Sequence, residues 1–206
     1  MLISTQWASN STVHDSRGQE TAFDPFRHEA LRKPTADAII HGEAIRLLGS
    51  TDKLHAAFDT YVNSVHLRLP LLSHAGVHDR LQDLSASTPA DFVALCLPTF
   101  LSQQEPPAHA KSMHSSLYVS MKSIVSLLEA VEYQSLQIVQ CRLLLAFYEV
   151  GHGMFSAASM SIAACSRQAR FIGLHTACAS PLGTELSAVL WEERRRAWWA
   201  ILNMDR

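Results

Sequence analysis

The residues most able to do chemistry in this chain lie in its last stretch, WEERRRAWWAILNMDR, from Trp191 to Arg206, where three arginines and two tryptophans stand in tandem. On a helix Glu192 faces Arg196 at i,i+4, the favourable acid-first order. Arg195 stands four residues from both Trp191 and Trp199, within reach of an indole face. Two readings compete. Arg194, Arg195 and Arg196 could form a nucleic-acid or localisation patch. Alternatively, the segment is a packing helix whose tryptophans enter the core and whose arginines pair with neighbouring carboxylates, Glu192, Glu193 and Asp205 among them, and with helix ends. The flanking Glu192 and Glu193 weaken any basic field, which favours packing.

Other constellations fail on spacing. Eleven histidines invite a metal reading. His74 and His78 are four apart, but Gly76 lies between them and no Glu follows His74, so the zinc-protease pattern is absent. His28, His41, His55, His66, His152 and His175 have no acidic or cysteine partner at ligand spacing, and His109 and His114 sit in loop-like sequence. The cysteines Cys96, Cys141, Cys165 and Cys178 form no Cys-x-x-Cys pair and read as buried free thiols. There is no Gly-x-Ser-x-Gly elbow, no phosphate loop, and no prenyl-diphosphate Asp cluster. Gly151-His152-Gly153 lacks a third glycine and a preceding strand. No catalytic, metal-binding or cofactor-binding residue is assigned, and the chain is read as a non-enzyme without a cofactor of its own.

Composition bounds what could position such residues. The 206 residues are 48% hydrophobic and 17% charged, with 17 basic against 19 acidic side chains and only 8 Gly and 8 Pro. So few chain breakers among Leu/Ala/Ser-rich runs favour helices over a β-sandwich. Near-neutral charge argues against gripping a polyphosphate unaided. The N-terminus has no secretory pattern, and the longest uncharged run, Val150 to Ser166, is too polar to span a bilayer. An intracellular protein with no membrane contact is expected.

Residues 1–30 are polar and aperiodic and read as a flexible N-terminal arm. From Pro34 on, helices are expected over about 35–48, 52–66 and 78–84. The first carries Ile39, Ile40, Ala44, Leu47 and Leu48, and the second Leu54, Phe58, Tyr61, Val62 and Val65. Leu69-Pro70 ends the second. Thr88-Pro89 opens a further helix that Pro98 should kink or split, and Glu105-Pro106-Pro107 is a loop. Leu117, Met121, Ile124, Leu128 and Val131 mark a buried helical face, as do Leu136, Val139, Leu143, Phe147 and Val150. Phe155, Ala158, Ile162, Cys165, Ala169 and Ile172 mark a third. Gly173 suits a left-handed C-cap, Ser180-Pro181-Leu182-Gly183 a turn, and Thr184 onward the last helix, with Leu190, Trp191, Arg194, Trp198, Ile201 and Asp205 on one side. The fold class is all-α, an irregular multi-helix domain of seven to nine helices.

Four segments, in order, resemble the fungal-specific transcription factor domain, the middle homology regulatory region of zinc-cluster (Zn2Cys6) regulators. Tyr61, Val65-His66 and Leu69-Pro70 carry its aromatic–Val-His–Leu-Pro signature. LYVSMKSIVSLLEAVEYQSLQIVQCRLLLAFYEVGHG resembles its central helix pair. Gly173, Leu174 and His175 resemble its Gly-Leu-His ending. Glu193, Arg194, Arg195, Arg196, Trp198, Trp199, Asp205 and Arg206 resemble its Glu–Arg-Arg-Arg–x–Trp-Trp helix closing on Asp-Arg.

Together these segments cover about residues 50–206, and the implied domain is 31–206. The resemblance implies a nuclear regulatory domain that modulates transcription by RNA polymerase II through intramolecular or partner contacts. Its partners would be proteins of the transcription machinery or a second regulator in a dimer, and a small-molecule effector is possible in such a domain. A helical scaffold or dominant-negative partner that sequesters a full-length regulator is the alternative.

The family's six-cysteine zinc module has no counterpart here, so zinc and DNA contact are expected only of that module. Family domains usually continue past Asp-Arg, so a partial, truncated domain is expected, with apolar surface exposed on its last helices.

Overall fold

The computed structural model describes residues 33–82, 88–102, 115–177 and 187–206, all within one compact unit, Leu31–Arg206. The arm expected over 1–30, the Glu105–Pro107 loop, the Ser180–Gly183 turn and Cys178 lie outside these residues. Among those described there are nine α-helices and no strand. They are α1 (Lys33–Leu48), α2 (Thr51–Asn63), α3 (His74–Gln82), α4 (Ala90–Leu101), α5 (Ser116–Ala130), α6 (Leu136–Gly151), α7 (Phe155–Phe171), α8 (Leu174–Ala177) and α9 (Ala188–Met204). None is long and apolar enough to cross a membrane.

Polar caps set several starts. The hydroxyls of Ser50, Ser115, Ser135 and Ser187 accept from the backbone N–H of Lys53, Tyr118, Ile138 and Leu190, each satisfying a donor that the first turn leaves open. α2 stops at Asn63, short of the expected 66, and a 3-10 turn at Val65–Leu67 leads into Leu69-Pro70. α3 begins at His74, four residues earlier than expected. Thr88 does not cap α4: the N-cap is Pro89, with no side-chain bond.

Pro98 does not split α4, which runs unbroken from Ala90 to Leu101. A proline at 98 has no N–H to give the carbonyl of Ala94. The Cys141 thiol, on the neighbouring α6, lies 3.6 Å from that oxygen and donates to it. The neighbour thus repairs what the proline removes.

α6 is the centre of the unit. It packs on α4, α5, α7 and α9 and is buried nearly all round, from Leu136 through Ala146 on most of its positions. Its expected stripe holds at Leu136, Val139 and Leu143, whereas Val150 at its end is exposed. Elsewhere one face is buried. α1 turns Ile40, Ala44 and Leu48 inward while Ile39 stays exposed. On α7, Ala158, Ile162, Cys165 and Ala169 are buried and Phe155, Met160 and Phe171 are exposed.

Candidate functional site

α9 reads as a helix because Ser187 caps it and neither Gly nor Pro interrupts its 17 residues. Its inner face is Ala197, Ala200 and Ile201. Two small residues there let the backbone approach α6 and α7 closely. Trp198 packs half-buried at the edge of the core, and Trp199 is 50% exposed, so the tandem indoles are not both internal.

The charged residues beside these indoles divide their work. Glu192 accepts from Arg195 through both Nε and Nη2, at 2.7 and 2.8 Å, and from Arg196 Nε at 2.8 Å. Those two guanidinium groups pull its carboxyl pKa down to about 2. The Arg195 guanidinium stands 5.8 Å from the Trp191 ring. Arg194 turns elsewhere: its Nη2 donates to the carbonyl of Ile172 at 2.9 Å, and Ile172 is the C-cap of α7. A cation at a helix C-terminus satisfies an open carbonyl and opposes the negative end of the dipole. Glu193 faces away from Glu192 and accepts from the backbone N–H of Ser73 at 2.6 Å.

Ser73 closes a short turn, residues 68–73, that two further elements hold. The Tyr61 hydroxyl on α2 donates to Leu69 O at 3.2 Å, and Gln140 Nε2 on α6 donates to Leu71 O at 3.0 Å. His66 lies edge-on to Tyr61 with ring centroids 5.7 Å apart. Burial depresses its pKa, and the charges of Arg196 and His74 push it the same way. The Tyr61–Ser73 segment and α9, joined by a bond between residues 120 positions apart, therefore share one junction.

The Gly-Leu-His segment meets α9 from the other side. Gly173 has φ +73, a backbone state that strains any side-chain-bearing residue, and it ends α7. Leu174 is fully buried, and the His175 ring stands 6.0 Å from Trp198. Asp205 is the C-cap of α9, its N–H donating to Ile201 O, and it lies exposed beside Arg206. The structure thus brings Gly173, Leu174, His175, Glu193, Arg194 and Trp198 into contact with the elements around α9. Arg195 and Arg196 both bond to Glu192 on the same helix, and Trp199 is half exposed.

Between the turn and α9 an open groove of about 540 Å³ is bounded by Arg68, Leu69 and Pro70 on one wall and Arg195, Arg196 and Trp199 on the other. A second cavity of about 170 Å³ lies beneath α3 and includes Arg80, Phe92 and Glu193.

Other groups lie apart from this junction. His74 and His78 share one face of α3, their rings nearly parallel and 6.1 Å apart. Among the described residues no three His, Cys, Asp or Glu side chains are placed to hold a metal. Cys96, Cys141 and Cys165 are buried thiols whose pKa burial pushes up to about 12.

The spacing-based reading missed one polar cluster. Glu149 on α6 is fully buried, and its Oε1 accepts from Tyr118 Oη at 2.7 Å and from Lys122 Nζ at 2.9 Å. Lys122 also donates to Ser161 Oγ at 2.8 Å. The cluster joins α5, α6 and α7. Its only sequence signal was a carboxylate inside an apolar helical run, a group that must find a partner when buried.

Comparison with known proteins adds two findings. A family model described as the fungal specific transcription factor domain matches residues 59–206. The transcription factor BOA15 of Botryotinia fuckeliana (strain B05.10) is 32% identical over 166 residues, which cover 80% of this chain and 90% of that protein. No solved structure matches.

Proposed function

Because this chain belongs to the fungal specific transcription factor domain family, we propose that it acts in the nucleus as a non-enzymatic regulatory module, modulating transcription by RNA polymerase II through protein contacts. A role in transcription regulation follows from the family; the mode of action is the proposal. The observation that carries it is where α9 spends its polar side chains. Glu193 and Arg194 hold backbone groups of two other elements, and Glu192 neutralises Arg195 and Arg196 within the helix. Groups used in this way fix the relative placement of helices rather than reacting with a substrate. A module with fixed helices presents a constant surface, which suits intramolecular or partner contacts. DNA contact and zinc are assigned to the family's zinc-cluster module and to no residue of this chain.

The test is a tethering assay in a fungal host. Fused to an unrelated DNA-binding domain, the chain should change output from a reporter carrying that domain's site, and Arg194→Ala should reduce the change. In a gel-shift experiment the purified chain should leave the DNA unretarded. Reporter output equal to that of the DNA-binding domain alone would contradict the reading.

A further inference from the structure

The groove between the 68–73 turn and α9 carries features that holding the fold does not explain. Trp199 leaves half its surface in water, although burying an indole is strongly favourable. Pro70, also in the wall, is exposed. Apolar groups gathered this way beside polar ones mark interaction surfaces.

The charge around them is one-sided. Arg68, Arg195 and Arg196 border the groove, against one carboxylate, Glu192. Glu192 is already shared between Arg195 and Arg196. Arg68 is exposed and forms no ion pair with a described residue. The groove therefore presents surplus positive charge on both walls, with an indole and a proline between or beside them.

We infer that this groove is a docking site for an acidic peptide segment of a protein partner, one that interleaves Asp or Glu with aromatic or large aliphatic residues. Its carboxylates would meet Arg68 and the Arg195–Arg196 pair, and its apolar side chains would cover Trp199 and Pro70. A small anion would use only the guanidinium groups and leave Trp199 and Pro70 wet. A nucleic acid requires a longer run of phosphate contacts than three arginines supply, and it would meet a chain with a net charge of −2. An acidic, apolar-bearing peptide uses every feature present. This assignment rests on the regulatory reading above and names the class of partner the module would contact.

The test uses the whole chain and a fluorescein-labelled peptide alternating Asp with Phe and Leu, followed by fluorescence anisotropy. Saturable binding below about 1 mM is expected, weakened about tenfold or more by either Arg68→Glu or Trp199→Ala. Arg167→Glu, on the exposed face of α7, should leave it unchanged. Replacing Phe and Leu by Ser in the peptide should also weaken binding, and inorganic phosphate should not compete. Thermal melting of each variant confirms that it is folded. No saturation, binding indifferent to both groove variants, equal binding of the aromatic-free peptide, or stronger binding of a single-stranded oligonucleotide would each overturn the assignment. A chain that still changes reporter output when tethered, yet ignores the peptide, overturns the groove alone and leaves the regulatory role standing.

Discussion

α6 and α9 are helices of nearly equal length, yet they are held by different means. α6 is buried on almost every side, and even its polar residues are enclosed: Gln140 bonds to the 68–73 turn, Arg142 pairs with Glu129, and Glu149 is locked by Tyr118 and Lys122. α9 buries only Ala197, Ala200 and Ile201 fully and is latched at its edges by Glu193 and Arg194. Apolar burial fixes α6, whereas for α9 a narrow apolar face supplies contact and charged side chains supply the register. The residues that make the chain recognisable as a family member cluster on the latched helix and its partners. The helix that anchors the core buries mostly Leu, Val and Ile around its few enclosed polar residues.

The contrast can be broken by mutation. Leu143→Ala, in the sealed centre of α6, should cost about 2–5 kcal/mol in denaturant unfolding, the largest effect expected here. Arg194→Ala leaves the last carbonyl of α7 without its partner and should cost about 1–3 kcal/mol. Proteolysis near residue 172 should rise along with it. Trp198→Ala should cost about 1–2 kcal/mol. That is less than the roughly 3–5 kcal/mol of an enclosed aromatic, because Trp198 sits at the core edge. A loss for Trp198 as large as that for Leu143 would mean that α9 is held as α6 is, by burial.

Glu192 supplies the smallest effect and a pH signature. Its folded carboxyl pKa of about 2 lies below the ordinary 4.5, so whatever stability it adds is complete above about pH 5 and fades as pH falls from 4.5 towards 2. Unfolding free energies of the native chain and Glu192→Gln should differ by about 0.2–1 kcal/mol at pH 6, with the gap shrinking below pH 4.5 and closing only towards about pH 2. A constant gap over that range would assign the effect to something other than charge.

Much of this architecture was readable before the structure. The 4-3-4-3 spacing of Leu117 through Val131 places α5 closely, because one amphipathic face acts locally. Pro98 misled for the opposite reason. The thiol that rescues the Ala94 carbonyl comes from residue 141, and no local pattern contains it. α3 starts early because Gly76, a weak helix former, is carried by the tertiary contacts of Val77 and Leu81. In the junction around α9, the expected pairing of an arginine with a helix end holds for Arg194 on the C-cap carbonyl of α7, whereas Glu193 accepts from the main-chain N–H of Ser73, a partner that side-chain spacing does not encode. The exposure of Trp199 was equally illegible, since adjacent residues on a helix point about 100° apart and only the neighbouring elements decide which indole is covered.

The latch between α9 and the turn is most directly tested by amide hydrogen exchange at Ser73, compared between the native chain and Glu193→Ala. The Ser73 N–H should exchange at least about tenfold faster in the variant, beyond any change at the amides of α6 around Leu143, since only Ser73 loses its acceptor. Unchanged protection at Ser73, or an equal loss across α6, would show that this carboxylate does not hold the turn and that α9 is positioned by packing alone.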